Sequence, residues 1–233
     1  MRILTVALTG GIATGKSVIA GVLAGHNCFI HSADQAAHDL MLPGRPAWSR
    51  IVARFGKGIL DPDQKVNRKK LGGIVFSSEA DRRFLNRLLH PLVLEKKKQA
   101  VRKLERLGSP KIFVSEAALT IESGFASFFD KIVLAYCPEQ MQVERMMKRD
   151  RISRNVAWAK IRSQMRSAEK IRHADYLIDT SGTVAETRAQ AERLYHSLLG
   201  DFREKQVRLE KRRPRGASHT SVRRRAQPPR AGS

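Results

Sequence analysis

The chain has 233 residues, of which 42% are hydrophobic, and its formal net charge is +22 at pH 7. This length and apolar content are enough for one α/β domain with a sizeable core, which excludes a chain that is disordered throughout. No apolar run is long enough for a transmembrane helix, and the apolar start MRILTVAL is too short for a signal peptide.

The first predicted strand, in the run ILTVAL, leads into the glycine-rich stretch ALTGGIATGKSV at residues 7–18. This stretch fits G-x-x-x-x-G-K-[ST] at every fixed position, and the helix-like KSVIAGVLAGH overlaps its end. Glycines allow positive φ, so successive N–H groups can turn toward one anion. A glycine turn without a ligand is the alternative, but the strand, loop and helix order favours phosphate. We therefore predict an ATP-binding phosphate loop formed by Gly10, Gly11, Ile12, Ala13, Thr14, Gly15, Lys16, Ser17 and Val18.

Two side chains of the phosphate loop have predicted roles of their own. Lys16 is expected to reach the β- and γ-phosphates of ATP, and the Ser17 hydroxyl is expected to hold Mg²⁺. The N-terminus of the following helix adds partial positive charge at the same place.

Five short apolar segments, rich in β-branched residues, predict strands, and helical patterns separate them. That alternation predicts an α/β fold with a five-stranded parallel sheet flanked by helices. Cys28 and Cys137 lie in two of these segments without metal or redox spacing, so we expect buried thiols in a reducing cytoplasm. The predicted strands are residues 3–8, 28–32, 111–116, 131–137 and 176–179.

Two polar, helical insertions interrupt the predicted sheet. Residues 35–110 are too long for one crossover, and their helical pattern, which we expect to break at Pro91, suggests a substrate-binding subdomain. Residues 148–172 are arginine-rich and resemble the lid of small-molecule kinases. The predicted core is the remainder of residues 1–202, namely 1–34, 111–147 and 173–202.

Several residues have the chemistry that phosphoryl transfer needs, which is a proton acceptor and cations for developing charge. Asp34 follows the second strand, where ligands gather in parallel sheets, so it either accepts a proton from a substrate hydroxyl or N-caps the next helix. Arg145 and Arg149 lie one helical turn apart and can face one ligand. Arg162 and His90 are candidate substrate contacts, although a solvated arginine and a histidine at a helix break are the plain alternatives.

Residues 203–233 form a basic tail with almost no apolar side chains. Such a segment cannot repay the entropy of ordering, so we predict that it is disordered. We expect at most loose contacts of this tail with RNA or acidic surfaces, and no specific nucleic-acid partner.

Six blocks of the sequence, taken together, resemble the dephospho-CoA kinase family in order and spacing. This resemblance implies a P-loop NTPase fold with a helical CoA-binding insertion and a lid. It also implies transfer of the γ-phosphate of ATP to the ribose 3′-hydroxyl of dephospho-CoA, the last step of CoA biosynthesis. The blocks are LTGGIATGKS, SAD, NRKKLGGIVF (67–76), LNRLLHPLV (85–93), ERMMKRD (144–150) and IRSQM with ADYLIDTSG (161–182).

At the matching positions, the family resemblance assigns the general base to Asp34 and places Arg145 at the active site. The chain departs from the family pattern at three positions. Ser32 stands where the family usually has Asp, and EAALTIE replaces D-x-P-L-L-F-E, so that Glu116 and Ala118 replace Asp and Pro. We expect the missing proline to loosen the loop beside the substrate.

Two alternatives stay open at this point. One is a related P-loop kinase that acts on a nucleoside monophosphate or another small hydroxyl compound, and the other is a basic nucleotide switch that binds RNA. For the kinase we expect ATP, Mg²⁺ and dephospho-CoA as the small-molecule partners, a cytoplasmic location, no membrane association, and a monomer or small homo-oligomer.

Overall fold

The computed structural model describes residues 1–211, which contain one five-stranded sheet with all strands parallel. The strand order is β2-β3-β1-β4-β5, so the first strand lies at the centre. The predicted α/β fold and its five strands are confirmed. The strands are β1 (Leu4–Thr9), β2 (Phe29–Ser32), β3 (Ile112–Glu116), β4 (Lys131–Tyr136) and β5 (Tyr176–Asp179).

Nine α-helices lie within residues 1–211, together with two short 3₁₀ turns at Lys57–Ile59 and Ala126–Phe128. None of them is long and apolar enough to span a membrane. The helices are α1 (Lys16–Gly25), α2 (Ala33–Leu40), α3 (Pro46–Phe55), α4 (Arg68–Ser77), α5 (Glu79–Leu107), α6 (Glu139–Asp150), α7 (Arg154–Arg162), α8 (Ser167–Ile171) and α9 (Val184–Lys211).

The two faces of β1 are both covered, which explains its continuous apolar run. Leu4, Val6 and Leu8 face one side and pack in a cluster with α1 and α9. Ile3 and Phe113 belong to a separate cluster with the C-terminal part of α5. Full burial of each such side chain stabilises the fold by about 1.5–3 kcal/mol relative to leaving it exposed.

The long insertion after β2 has a hydrophobic cluster of its own. Helices α2 to α5 contribute Leu40, Ile51, Leu71, Leu89 and Val93, all buried there. These helices therefore pack chiefly on one another, beside the carboxyl end of β2.

Pro91 does not break the helical pattern, which corrects the expectation from the sequence. Helix α5 runs through it without interruption over 29 residues. A proline inside a helix removes one hydrogen bond and costs about 3 kcal/mol. Buried side chains on both sides of it, including Leu89 and Val93, offset that cost because they hold the two halves against the insertion.

The first nine residues of the predicted tail are helical, which corrects that part of the expectation. Residues 203–211 continue helix α9, and residues 212–233 lie outside the described part of the chain. The reason is a set of specific contacts that composition does not reveal. Phe202 is buried in the core, and the Lys205 ammonium donates to the Ile3 carbonyl (2.7 Å) and to Asp130 Oδ2 (2.6 Å).

The parallel topology brings the ends of all five strands to one edge of the sheet. Leu8 of β1 and Ser32 of β2 both lie in register with Glu116 of β3, and Asp179 of β5 lies in register with Tyr136 of β4. Ligands of open parallel sheets bind at this carboxyl edge. Every candidate residue that follows a strand is thereby placed on one side of the molecule.

Candidate active site

The phosphate loop adopts backbone angles that explain its glycines. Gly10 has φ +146° and Gly15 has φ +78°. A Cβ added to Gly10 would lie 2.2 Å from the Ala135 carbonyl oxygen, which is backbone and cannot move aside. Gly15 is also the N-cap of α1, so its left-handed conformation sets the direction in which the helix begins.

Lys16 reaches back over the loop from the first turn of α1. Its Nζ donates to the carbonyls of Gly10 (3.1 Å) and Gly11 (2.9 Å). Burial lowers the pKa of Lys16 to about 8, and the carboxylates of Glu116 and Asp34 oppose that lowering. The loop carbonyls thus hold the ammonium, and the charges of Glu116 and Asp34 stabilise its protonated form.

The Thr180 hydroxyl links the phosphate loop to the end of β4, and Arg145 in turn binds Thr180. Thr180 Oγ1 donates to the carbonyls of Thr14 (2.9 Å) and Tyr136 (3.0 Å). Arg145 Nη2 donates to the Thr180 carbonyl (2.7 Å), and its Nη1 lies 3.5 Å from Cys137 Sγ. Arg145 therefore contacts the phosphate loop indirectly, through Thr180.

Asp34 does not cap helix α2, so one of its two interpretations is wrong. The N-cap is Ser32, whose Oγ accepts a hydrogen bond from the Gln35 N–H (3.2 Å), while Asp34 lies in the first turn. Serine and aspartate cap helices about equally well, so Ser32 can serve as the cap without an aspartate at this position. The Asp34 carboxylate lines a cavity of about 330 Å³.

This cavity, which we call the insertion cavity, lies between the phosphate loop, helices α2 and α5, and the loop after β3. Its wall contains Ile12 of the phosphate loop, Asp34, His90 and Phe125. The His90 ring meets the Phe125 ring edge-on at a centroid distance of 5.3 Å. Burial, followed by the charge of Lys97, lowers the pKa of His90. The cavity is thus lined by groups from both the sheet edge and the insertion.

The other two predicted contacts, Arg149 and Arg162, do not line the insertion cavity. Arg149 forms a bidentate pair with Asp150, although its charge contributes, after burial, to lowering the pKa of Lys16. Arg162 is exposed and stacks over the Trp158 ring with its Cζ 5.1 Å from the centroid. The structure therefore pairs Arg149 with its neighbour Asp150 and leaves Arg162 on the outside of α7.

The loop after β3 is held through its backbone at Ala118, where the resemblance predicts a proline. The Ala118 carbonyl accepts hydrogen bonds from Lys170 Nζ (2.9 Å) and Thr9 Oγ1 (3.3 Å). These two bonds oppose the loosening that we expected from the missing proline. Burial raises the pKa of Glu116, while the charge of Lys16 lowers it.

Lys170 and Glu122 form an ion pair that the sequence analysis did not single out. Lys170 is fully buried, and its Nζ lies 2.7 Å from Glu122 Oε1, which also accepts the Met165 N–H (3.3 Å). Gln164 Oε1 accepts the Ile12 N–H (3.0 Å). Residues 148–172, which the sequence predicts to be a lid and which we call the lid segment, are thereby fixed both to the loop after β3 and to the phosphate loop.

Replacing Lys170 by methionine is expected to destabilise the protein by about 3 kcal/mol, because Glu122 loses its partner in a largely buried place. Chemical denaturation measures this change. The double variant Lys170→Met with Glu122→Gln should regain part of the loss, since no uncompensated charge is left. Equal stabilities of the single variant and the parent would show that the pair does not hold the lid segment.

The residues beside Lys16 fit a magnesium ion that arrives with a nucleotide. Among residues 1–211, no three His, Cys, Asp or Glu side chains are grouped closely enough to hold a metal ion by themselves. Mg²⁺ usually keeps several waters and binds substrate phosphates with only one or two protein oxygens. Ser17, in the first turn of α1, and Glu116, at the end of β3, provide such oxygens.

Comparisons with known proteins agree with this arrangement. Residues 4–186 match the family model described as dephospho-CoA kinase. The chain is 40% identical over 187 residues to a dephospho-CoA kinase of Geobacillus kaustophilus, which covers 80% of this chain and 92% of that protein. It is 41% identical over 185 residues to the dephospho-CoA kinase of Halalkalibacterium halodurans, a match that covers 79% of this chain and 92% of that protein.

The structure of dephospho-CoA kinase from Campylobacter jejuni matches with a TM-score of 0.62 and 28% identity, covering 83% of this chain and 96% of that one. With its parallel sheet and phosphate loop, the chain has the P-loop NTPase fold and belongs to the dephospho-CoA kinase family.

Proposed function

We propose that the protein transfers the γ-phosphate of ATP to the ribose 3′-hydroxyl of dephospho-CoA, giving CoA and ADP. Family membership supports the reaction and its place as the last step of CoA biosynthesis. The insertion cavity is the structural observation that carries the proposal. It opens against the phosphate loop at Ile12 and has the Asp34 carboxylate in its wall, so an acceptor bound there meets both a phosphate donor and a base.

The phosphate loop, Gly10 to Val18, is the proposed site for the triphosphate. Its N–H groups and the N-terminus of α1 offer partial positive charge, and Lys16 provides the full charge for the β- and γ-phosphates. Ser17 would hold Mg²⁺, which neutralises phosphate oxygens when bound. Arg145, held by the Thr180 carbonyl, is the proposed second cation of the active site.

Asp34 is the proposed proton acceptor in the transfer step. The 3′-oxygen forms a bond to the γ-phosphorus while the bond from that phosphorus to the bridging oxygen of ADP breaks, and the hydroxyl proton passes to the Asp34 carboxylate. His90 is a proposed acceptor contact because it lines the same cavity. Arg149 is a weaker candidate through its charge near Lys16, and the structure gives Arg162 no support.

A substrate panel tests the proposal directly. The purified chain is mixed with ATP and Mg²⁺ and, in turn, with dephospho-CoA, AMP, CMP and shikimate, and ADP release is followed with the phosphorylated product identified by mass. We expect turnover with dephospho-CoA to exceed the others by orders of magnitude. Preferred phosphorylation of AMP, CMP or shikimate would replace the proposal by the related-kinase alternative.

A cytoplasmic location is proposed on the two thiols, Cys28 and Cys137, which are both buried and free. Such thiols suit a reducing compartment with ATP. The state of assembly, a monomer or small homo-oligomer, and the lack of a specific nucleic-acid partner stay predictions from the sequence.

A further inference from the structure

Lys97 is the feature of the insertion cavity that the roles above leave unexplained. It lies on α5, seven residues after His90 and therefore on the same face of the helix. Only 2% of its surface is exposed, and it lines the cavity. Within residues 1–211 its ammonium has no carboxylate partner and no hydrogen-bond acceptor. Its Nζ lies over the rings of Phe125 and Phe129, at 5.8 and 5.4 Å from their centroids.

The positive charge of Lys97 lowers the pKa values of two neighbouring histidines, His31 and His90. Burial lowers the pKa of Lys97 to about 8 and Asp34 opposes this, so the side chain is mainly protonated at pH 7. The pKa of His31 is lowered to about 4, first by burial and then by the charge of Lys97. The same two causes, in the same order, lower the pKa of His90. A buried cation without a counter-ion lowers the stability of the folded protein. Its presence in a cavity wall therefore indicates that the cavity binds a negative ligand.

Thr120, on the loop after β3, is a second unpartnered polar group in the same wall. It is 2% exposed, and its Oγ1 has no hydrogen-bond partner among the described residues. Buried hydroxyl groups are usually paired, so this one also points to a ligand in the cavity. Lys97 and Thr120 come from opposite sides of the cavity, the insertion and the sheet edge.

We propose that Lys97 and Thr120 form the subsite that binds the 5′-diphosphate of the acceptor. This inference rests on the proposed function, because dephospho-CoA has the diphosphate as its only anionic group. The triphosphate of ATP is assigned to the phosphate loop. One ribose ring separates the 5′-diphosphate from the 3′-hydroxyl, which fits a subsite that shares the cavity with Asp34 without forming an ion pair with it. Lys97 thus determines acceptor specificity, and Asp34 acts on the hydroxyl.

Steady-state kinetics with saturating ATP and Mg²⁺ and varied dephospho-CoA test the subsite. Lys97→Met keeps the length of the side chain and removes its charge, and it is expected to raise KM for dephospho-CoA by about 10- to 100-fold, as for loss of a charged hydrogen bond. The kcat should stay within about threefold of the parent, since the base is untouched. Lys97→Arg should restore much of the affinity, and Lys98→Met, at an exposed neighbour on α5, is the matched control.

Thr120→Val is the second variant, and it separates ligand binding from a structural role. Its hydroxyl has no partner in the protein, so the melting temperature should be unchanged or higher, while KM should rise by about two- to tenfold. Unchanged KM in both variants would overturn the subsite. A fall in kcat at constant KM for Lys97→Met would also overturn it, because Lys97 would then act on Asp34. A parent protein without activity on dephospho-CoA would instead overturn the proposed function.

Discussion

Replacing Lys16 by methionine is expected to lower kcat/KM for phosphate transfer by at least about 10³-fold, the scale on which cations at a transferring phosphoryl group act. The side chain projects over the phosphate loop and bonds only to loop carbonyls, those of Gly10 and Gly11. It therefore has no essential packing role. Because desolvation already disfavours the charged form of this half-buried side chain, and no carboxylate among residues 1–211 is paired with it, the melting temperature should stay near that of the parent.

Coupled measurement of ADP release with dephospho-CoA, beside circular dichroism and a thermal melt, checks the Lys16 prediction. Lys103→Met on the exposed side of α5 removes the same charge elsewhere and should behave as the parent. Retention of more than about a tenth of the parental activity by the Lys16 variant would remove this lysine from phosphate stabilisation.

Asp34→Asn is expected to lower kcat by about 10² to 10⁴, the usual contribution of a positioned base. The transition state of phosphoryl transfer is loose in most analyses, so most of the rate acceleration comes from positioning and charge. The variant should therefore keep that part of the acceleration. Ser32 supplies the N-cap of α2, so the substitution leaves the cap intact. The loss of stability should be limited to the favourable interaction between the Asp34 charge and the helix dipole, about 0.3–1 kcal/mol.

Two measurements together decide the role of Asp34. Steady-state rates give kcat, and calorimetric titration with an ATP analogue and Mg²⁺ gives the affinity for the nucleotide, which should change little. Ser32→Ala is the matched control, since it removes the cap and should lower stability with a smaller effect on kcat. A near-parental kcat would contradict the base, and lost nucleotide binding would indicate support of the magnesium site instead.

The strand segments and the phosphate loop could be predicted because their signals are local. A parallel strand buried on both faces needs a continuous apolar run, and a loop that turns N–H groups toward an anion needs glycine where φ is positive, as at Gly10 and Gly15. Both requirements act within a few residues. The family resemblance then supplied the expected substrate, which sequence patterning alone does not contain.

The errors have equally physical causes. Pro91 is a local helix-breaking signal, but burial of Leu89 and Val93 outweighs the lost hydrogen bond. Composition predicts disorder from residue 203 onward, yet Lys205 donates to the Ile3 carbonyl and the Asp130 carboxylate, just before the starts of β1 and β4. In both places, contacts with distant parts of the chain override a correct local preference.

By itself, the sequence determined the parallel α/β sheet, the phosphate loop and the position of Asp34 at the end of the second strand. Only the tertiary structure decided that Ser32 caps α2, that Lys170 pairs with Glu122, and that Lys97 lies buried in the wall of the cavity that Asp34 also lines. In the sequence, Lys97 belongs to the run EKKKQ, in which nothing distinguishes a buried lysine from a solvated one. Burial of a charge depends on which segments close over it, and those segments are far apart along the chain.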